Sequence, residues 1–258
     1  MKKYCLDLKV KALEHINDRY VLMRLTQAAP LPEMIPGQFV EVKVPNSEMT
    51  YLRRPISIND VNREQNELHL LIACIGDGTR RLGTLRIGET VSVMLPLGNG
   101  FTLPDSPEKR YLLVGGGVGV APLLYLGKEI RRMGGEPCFL LGARSHKDLL
   151  LIEEFRKVGK VCITTEDGSD GEKGFVTNHS VLAKERFEMI CTCGPKPMMA
   201  AVARYARKEN IDCEVSLENM MACGIGACLC CVEDTTEGHL CVCKDGPVIN
   251  INKLKWQI

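Results

Sequence analysis

The rhythm of the chain changes once, at the polar stretch "LPDSPEKR" between positions 103 and 110. Before it, from Tyr4 to about Leu103, short runs alternate apolar and polar residues: "YCLDLKVKAL", "YVLMRLTQA", "GQFVEVKVP", "RRPISINDV", "ELHLLIACI" and "ETVSVMLPLG". A period of two is what a strand buried on one face requires. Turn residues such as Pro36-Gly37, Pro45-Asn46 and Gly76-Asp77-Gly78 separate the runs. These runs predict a small antiparallel barrel, with a short helix at "GTRRLGTL" before the last of them. Beyond the polar stretch, "YLLVGGG", "PCFLLGA", "KVCITTE" and "FEMICTCG" read as strands. Between and after them, "APLLYLGKEIRRMG", "DLLLIEEFRKVG" and "PKPMMAAVARYARKEN" read as helices. Strands alternating with helices predict a parallel sheet covered on both faces.

The fold class is therefore β followed by α/β, divided as a barrel over 1–103, an α/β domain over 110–215 and a small loop-rich, cysteine-rich piece over 216–258. A length of 258 residues suits that division, since a domain takes roughly 100–200 residues. A formal net charge of +1 gives no polyelectrolyte reason to expect nucleic acid or an anionic membrane as partner. The start, "MKKYCLDLKVKALEH", has two lysines but then alternates where a signal peptide needs a continuous apolar run, so it reads as an edge strand. No apolar stretch approaches the ~20 residues that span a bilayer. A cytoplasmic location is expected.

Cysteine usage points the same way. There are 13, an odd number that cannot pair completely, and four lie within nine residues in "MMACGIGACLCC", positions 220–231. In a reducing compartment clustered cysteines are metal ligands or redox groups more often than structural disulfides. Cys223, Cys228 and Cys231 stand as C-x4-C-x2-C, the plant-type spacing for a 2Fe-2S cluster held by four thiolates. Gly224 and Gly226 lie within the loop, where side chains would obstruct close wrapping and where amides must turn toward the cluster's sulfurs. The fourth thiolate comes from "HLCVCKDGPVI", which offers Cys241 and Cys243. Cys230 must point away if Cys231 points in, and it reads as a packing residue. Zinc competes for four thiolates, but its usual structural signature has two C-x2-C arms and only one is present. A Rieske centre needs two histidines, and the tail holds only His239.

Two further motifs suggest phosphate binding. In "VGGGVGVAPLL", positions 114–124, a buried strand runs into Gly115, Gly116, Gly117 and Gly119, and a helix begins near Pro122. Glycines let backbone approach a pyrophosphate, while a helix N-terminus supplies free amides. The same glycines could serve only to join strand to helix. Proline replaces the third glycine of the Rossmann fingerprint, and no acidic residue closes the next strand, "LLGARS". In "YLRRPISI", positions 51–58, Arg54 and Ser57 could face a diphosphate together, although arginines beside a strand are common on any surface. The remaining cysteines and the histidines read as ordinary structure, with no nucleophile, base and orienter set among them.

Taken in order, Arg-x-x-Ser on a barrel strand, "GDGT", "GGGxGxAP" and "CGPxPMM" resemble the layout of the ferredoxin reductase family. That resemblance implies an FAD-binding barrel followed by a nicotinamide-nucleotide domain. It places Arg54, Pro55, Ile56 and Ser57 along the FAD diphosphate and flavin edge, the backbone of Leu71, Ile72 and Ala73 against the cofactor, and Gly78 and Thr79 over its phosphates. Gly117, Gly119, Cys193, Gly194 and Pro195 would flank the nucleotide, with Cys193 at a buried strand end where cysteine packs as a small hydrophobe.

More closely, "LRRPISINDVN", "LPLGNGF", "LGARS", "LENMMACGIGACLCCV" and "VCKDGPV" resemble the electron-transfer subunits of the NAD-dependent (class 1B), two-subunit dihydroorotate dehydrogenases. This implies FAD, a 2Fe-2S cluster and NAD as cofactors, with Cys223, Cys228, Cys231 and Cys243 as metal ligands. Cys243 is chosen because the family's last ligand precedes a "DGP" turn. The interval before it is shorter than expected for relatives, and Cys230 is a further departure. The resemblance also implies an FMN-containing catalytic partner in a heterotetramer of two subunits of each kind, serving pyrimidine biosynthesis. Alternatives are a subunit of a ferredoxin:NADP reductase or sulfide dehydrogenase complex, or, in another class, a non-catalytic zinc-stapled binding module. NADP would call for basic groups at the second strand's end, where only Arg144 and Lys147 are candidates.

Overall fold

The computed structural model describes residues 2–48 and 50–256. The chain divides into two compact units. One runs up to Gly100 and takes in Asn219–Glu233 and His239–Pro247, and the other holds Phe101–Glu218, Asp234–Gly238 and the chain from Val248 on. The cysteine-rich piece is thus shared between the two.

In the first unit, β1 (Tyr4–Asn17), β2 (Tyr20–Thr26), β3 (Phe39–Val42), β4 (Arg54–Asn62), β5 (Glu67–Ala73) and β6 (Thr90–Leu97) close a barrel in the order β1-β2-β5-β4-β3-β6. All its neighbours are antiparallel, with β1 pairing both β2 and β6 to shut the cylinder. The alternating apolar residues are the buried ones: Leu8 and Val10, Val40 and Val42, Leu68 and Leu70, Val91, Val93 and Leu95. Arg53 ties β3 to β6, donating to the carbonyls of Glu41 (3.3 Å) and Ser92 (2.8 Å). The expected short helix is α1 (Asp77–Leu82).

The second unit contains β7 (Tyr111–Gly116), α2 (Ala121–Arg132), β8 (Cys138–Ala143), α3 (Ile152–Val158), β9 (Lys160–Thr165), β10 (Glu172–Lys173), α4 (Val181–Lys184), β11 (Met189–Cys193), α5 (Lys196–Glu209) and β12 (Asp212–Ser216). Its sheet runs β10-β9-β8-β7-β11-β12 in parallel, and the tail strand β15 (Val248–Asn250) adds antiparallel to β12, pairing Val215 with Ile249. Gly127 lets α2 close on β8, since a Cβ there would lie 2.2 Å from the Phe139 ring.

Four details differ from the sequence expectation. The first strand, expected at an edge, is paired on both sides because the barrel closes on it. The helix expected over "DLLLIEEFRKVG" starts only at Ile152, because Leu149 is extended and Leu151 is left-handed at φ 54°. A 3-10 turn, Gly117–Val120, comes between the glycine run and α2. The cysteine-rich piece has more regular structure than expected: a hairpin of β13 (Val232–Thr235) and β14 (Gly238–Cys241), the one-turn α6 (Val242–Asp245), and β15. No helix among the described residues is long and apolar enough to cross a membrane.

Candidate cofactor sites

The loop from Cys223 to Cys231 has no repeating structure, and its amides point at sulfur. Ile225 and Ala227 donate to Cys223 Sγ at 3.5 and 3.3 Å, Gly226 donates to Cys243 Sγ at 3.1 Å, and the Cys243 amide donates to Cys231 Sγ at 3.3 Å. Desolvation pushes the Cys223 thiol up, but these amides and the neighbouring Cys228 outweigh it and bring the group below its ordinary value. Cys243 is pushed up by burial and by its bond with Cys231. The sulfurs therefore stand as two pairs, Cys223 with Cys228 and Cys231 with Cys243. Among the described residues no three His, Cys, Asp or Glu side chains close into a metal-ligand set. The donor set nonetheless fits an iron-sulfur cluster, whose potential and stability depend on hydrogen bonds to sulfur.

Backbone conformation explains how the loop bends. Gly224 sits at φ 67°, and a Cβ there would fall 2.7 Å from Glu41 Cγ, so the turn lies flush on β3. Gly246 donates to the Val242 carbonyl and closes α6, which places Cys243 in the one-turn helix facing Gly226. Cys241 is half-buried, its amide donates to Asp245, and among the described residues no amide reaches its sulfur. Cys230, expected as a packing residue, is exposed to solvent instead.

At the expected FAD site, Arg54 begins β4 and donates only to the backbone carbonyls of Leu52 and Arg53, both at 3.2 Å, leaving the guanidinium without a carboxylate partner among the described residues. Gly78 approaches it so closely that a Cβ would lie 2.8 Å from Arg54 Nε and 3.0 Å from Thr50 Cγ2. Thr79 closes the turn with reciprocal 3.1 Å bonds to the Gly76 amide and carbonyl. Arg54, Gly78 and Thr79 are thus brought together: an unpaired cation beside the N-terminal turn of α1, which suits a diphosphate. Ile56 is buried, while Pro55 and Ser57 remain partly accessible on β4. Leu71 and Ile72 are buried on β5, with Ala73 half-buried at its end.

At the expected nucleotide site, Gly119 and Gly194 touch. A Cβ on Gly119 would sit 2.5 Å from Gly194 N and Cα and 2.6 Å from the Cys193 carbonyl carbon. Gly117 has φ 57° and open space where a side chain would be. Pro195 precedes α5, so the ends of β7 and β11 form one surface of small residues at two helix starts. Cys193 is buried, and burial pushes its thiol well above the ordinary range, in keeping with a packing role.

Two clefts, one lined by Lys109, Arg110, Arg131, Lys160 and Glu185 and the other by Lys43, Asn46, Thr50 and Tyr51, contain none of the expected cofactor residues. One residue that sequence reasoning did not single out is Glu41. In "FVEVKV" it reads as a solvent-facing charge, yet it is 1% exposed. Only the long-range packing of Gly224 on β3 reveals it.

Comparison with known proteins gives these sites a context. Residues 218–255 match the iron-sulfur cluster binding domain of dihydroorotate dehydrogenase B, and residues 113–204 match the oxidoreductase NAD-binding domain. A Listeria monocytogenes protein named dihydroorotate dehydrogenase B (NAD(+)), electron transfer subunit, is 40% identical over 96% of this chain and 98% of its own. A Bacillus velezensis protein of the same name is 39% identical over 96% and 97%. Among solved structures, an NADH-dependent reduced ferredoxin-NADP oxidoreductase studied for flavin-based electron bifurcation aligns with TM-score 0.87 and 27% identity, over 96% of this chain and 90% of that one. The cytochrome b5 reductase domain of Ulva prolifera nitrate reductase, at 19% identity and TM-score 0.67 over 81% and 94%, shares the fold.

A six-strand barrel, a parallel-sheet NAD-binding domain and a cysteine-rich iron-sulfur segment define an oxidoreductase of the ferredoxin reductase type. The chain belongs to the family of dihydroorotate dehydrogenase B (NAD+) electron transfer subunits. Membership as an electron transfer subunit implies a catalytic partner subunit. The ferredoxin:NADP reductase, sulfide dehydrogenase and zinc-module alternatives are not favoured.

Proposed function

We propose that this chain passes electrons from an FMN-containing dihydroorotate dehydrogenase catalytic subunit, through a 2Fe-2S cluster and FAD, to NAD, in a cytoplasmic assembly of two subunits of each kind. The observation that carries the reading is the set of amide-lined sulfurs of Cys223, Cys231 and Cys243, with Cys228 beside Cys223, in a chain that also has a nucleotide-type glycine turn. Flavin supplies the exchange between a hydride's paired electrons and a cluster's single ones, and the protein's task is to position and tune the cofactors.

In this reading the 1–103 barrel holds FAD, with the free guanidinium of Arg54 and the α1 turn at Gly78 and Thr79 gripping its diphosphate. Pro55, Ile56 and Ser57 set the edge of β4 for the flavin, and Leu71, Ile72 and Ala73 offer backbone from β5. In the 110–215 domain, Gly117, Gly119, Gly194 and Pro195 provide the flat approach a nucleotide needs, and Cys193 fills space beneath it. The 216–258 segment binds the cluster. Around its loop Met220, Ile225 and Leu229 are exposed by 84, 43 and 64%. Large apolar side chains exposed along a ligand loop support docking of the partner there.

The test is copurification from native cells followed by a dihydroorotate-dependent NAD reduction assay. The reading predicts a flavin- and iron-containing complex that reduces NAD with dihydroorotate. A chain that purifies alone and confers no such activity on a dihydroorotate dehydrogenase partner contradicts it.

A further inference from the structure

The Glu41 carboxyl is buried at 1% exposure, and neither of its oxygens has a hydrogen-bond partner among the described residues. A buried polar group left unpaired costs about 1–3 kcal/mol, more when charged, so a carboxyl retained in that condition calls for an explanation. Its surroundings are specific. Gly224, next to the first cysteine of the ligand loop, approaches so closely that a Cβ would lie 2.7 Å from Glu41 Cγ and 3.2 Å from Oε1. On the same strand pair Glu41 stands opposite Pro55, one residue from Arg54. Arg53 and Arg54 act on it through space but donate to neither of its oxygens: Arg53 donates to the Glu41 and Ser92 carbonyls and Ser92 Oγ, Arg54 to two backbone carbonyls. Leu97 also lies against Gly224, its Cδ1 3.2 Å from where a Cβ would fall.

A bland role does not fit this position. Among the described residues Glu41 caps no helix, closes no turn and forms no ion pair at bonding distance, and an apolar residue of similar volume would pack there without the desolvation. Charge is the property such a residue lacks, and in a medium of low effective dielectric a charge acts strongly on a redox centre a few ångströms away. We propose that Glu41 tunes electron transfer: ionised, its carboxylate behind the Cys223–Gly224 turn holds the potential of the iron-sulfur site below the value its four thiolates alone would give. A negative charge there disfavours arrival of an electron on the cluster. It thereby helps set the direction of flow between cluster and flavin strand. Desolvation raises the Glu41 carboxyl to about 7 despite the nearby Arg53 and Arg54, so measurements belong at a pH well above neutrality.

This inference rests on the iron-sulfur reading, and the two fail differently. Iron and acid-labile sulfide in the native-sequence chain test the cluster itself. The role of Glu41 is tested by an EPR-monitored redox titration of the full chain and of Glu41→Gln at alkaline pH, with iron, sulfide and flavin contents measured on the same samples. The expected result is a full complement of cofactors in E41Q and a cluster midpoint potential shifted positive, with a smaller shift of the flavin. If E41Q does not assemble, Glu41→Asp, which withdraws the charge by one methylene, is titrated in its place and should shift in the same direction. An unchanged potential in whichever variant holds its cluster overturns the proposal. So does loss of iron from both variants, which would assign Glu41 to assembly alone.

Discussion

At the level of single residues, the cysteines divide by what reaches their sulfur. Cys223, Cys231 and Cys243 accept amide hydrogens and the exposed Cys228 sits beside Cys223, whereas among the described residues neither an amide nor a ligand sulfur bonds to Cys241 or the exposed Cys230. Serine at 223, 228, 231 or 243 should therefore abolish visible cluster absorbance and lower iron per chain at least several-fold, while Cys230→Ser and Cys241→Ser keep both. Iron retained by C243S and lost by C241S would reverse the assignment of the fourth ligand. A second residue-scale expectation concerns pH. Glu67 in the barrel is opposed by desolvation, but bonds from Lys11 at 2.6 Å and His69 at 2.9 Å hold its carboxyl below the ordinary 4.5. A depressed carboxylate stabilises the fold above its unfolded value, and the contribution is lost as pH falls through the lower folded value. Lys11→Met should thus cost up to about 1 kcal/mol above pH ~4.5, given that the lysine is half-exposed. The difference from the native sequence should vanish in urea unfolding at more acid pH, and a cost that persists there would point to packing instead of charge.

At the level of elements, close approaches make the sharpest predictions. A methyl at Gly127 would enter the Phe139 ring, itself held edge-on by Phe155 at 4.9 Å, so Gly127→Ala should destabilise the α/β unit by roughly 1–3 kcal/mol in denaturant unfolding. Gly119→Ala meets only backbone of Cys193 and Gly194, which cannot yield without parting the two turns. It should raise the KM for NADH about tenfold, on the order of 1.4 kcal/mol, and leave flavin and iron contents unchanged. An unaltered KM would remove these glycines from the nucleotide site. The same elements show what the sequence could reveal. Barrel strands and the alternating α/β elements were readable because their periodicity is local, and the cysteine spacing because ligand geometry constrains it. The late start of α3 depends on one left-handed residue, Leu151, inside an apolar run that looks helical. β12 and β15 are short, and their pairing joins residues more than thirty positions apart, which no window along the chain detects.

For the molecule as a whole, what sequence could not supply is which distant segments share a unit. The ligand loop groups with the barrel while β15 completes the α/β sheet, and Glu41 acquires its meaning only from that grouping. The layout was legible because each cofactor makes its own local demand: an Arg-x-x-Ser on a barrel strand, a glycine run ending a buried strand, thiolates at fixed intervals. Their joint presence is what makes the chain a converter between paired and single electrons. The most direct measurement is an anaerobic NADH titration of the purified chain, followed by visible absorption and low-temperature EPR, with iron and acid-labile sulfide assayed on the same sample. The account predicts about two irons and two sulfides per chain, as a 2Fe-2S centre requires, a flavin that bleaches, and a reduced-cluster signal that grows with added NADH. Stoichiometric zinc without sulfide, or a preparation whose visible spectrum ignores NADH, would contradict it.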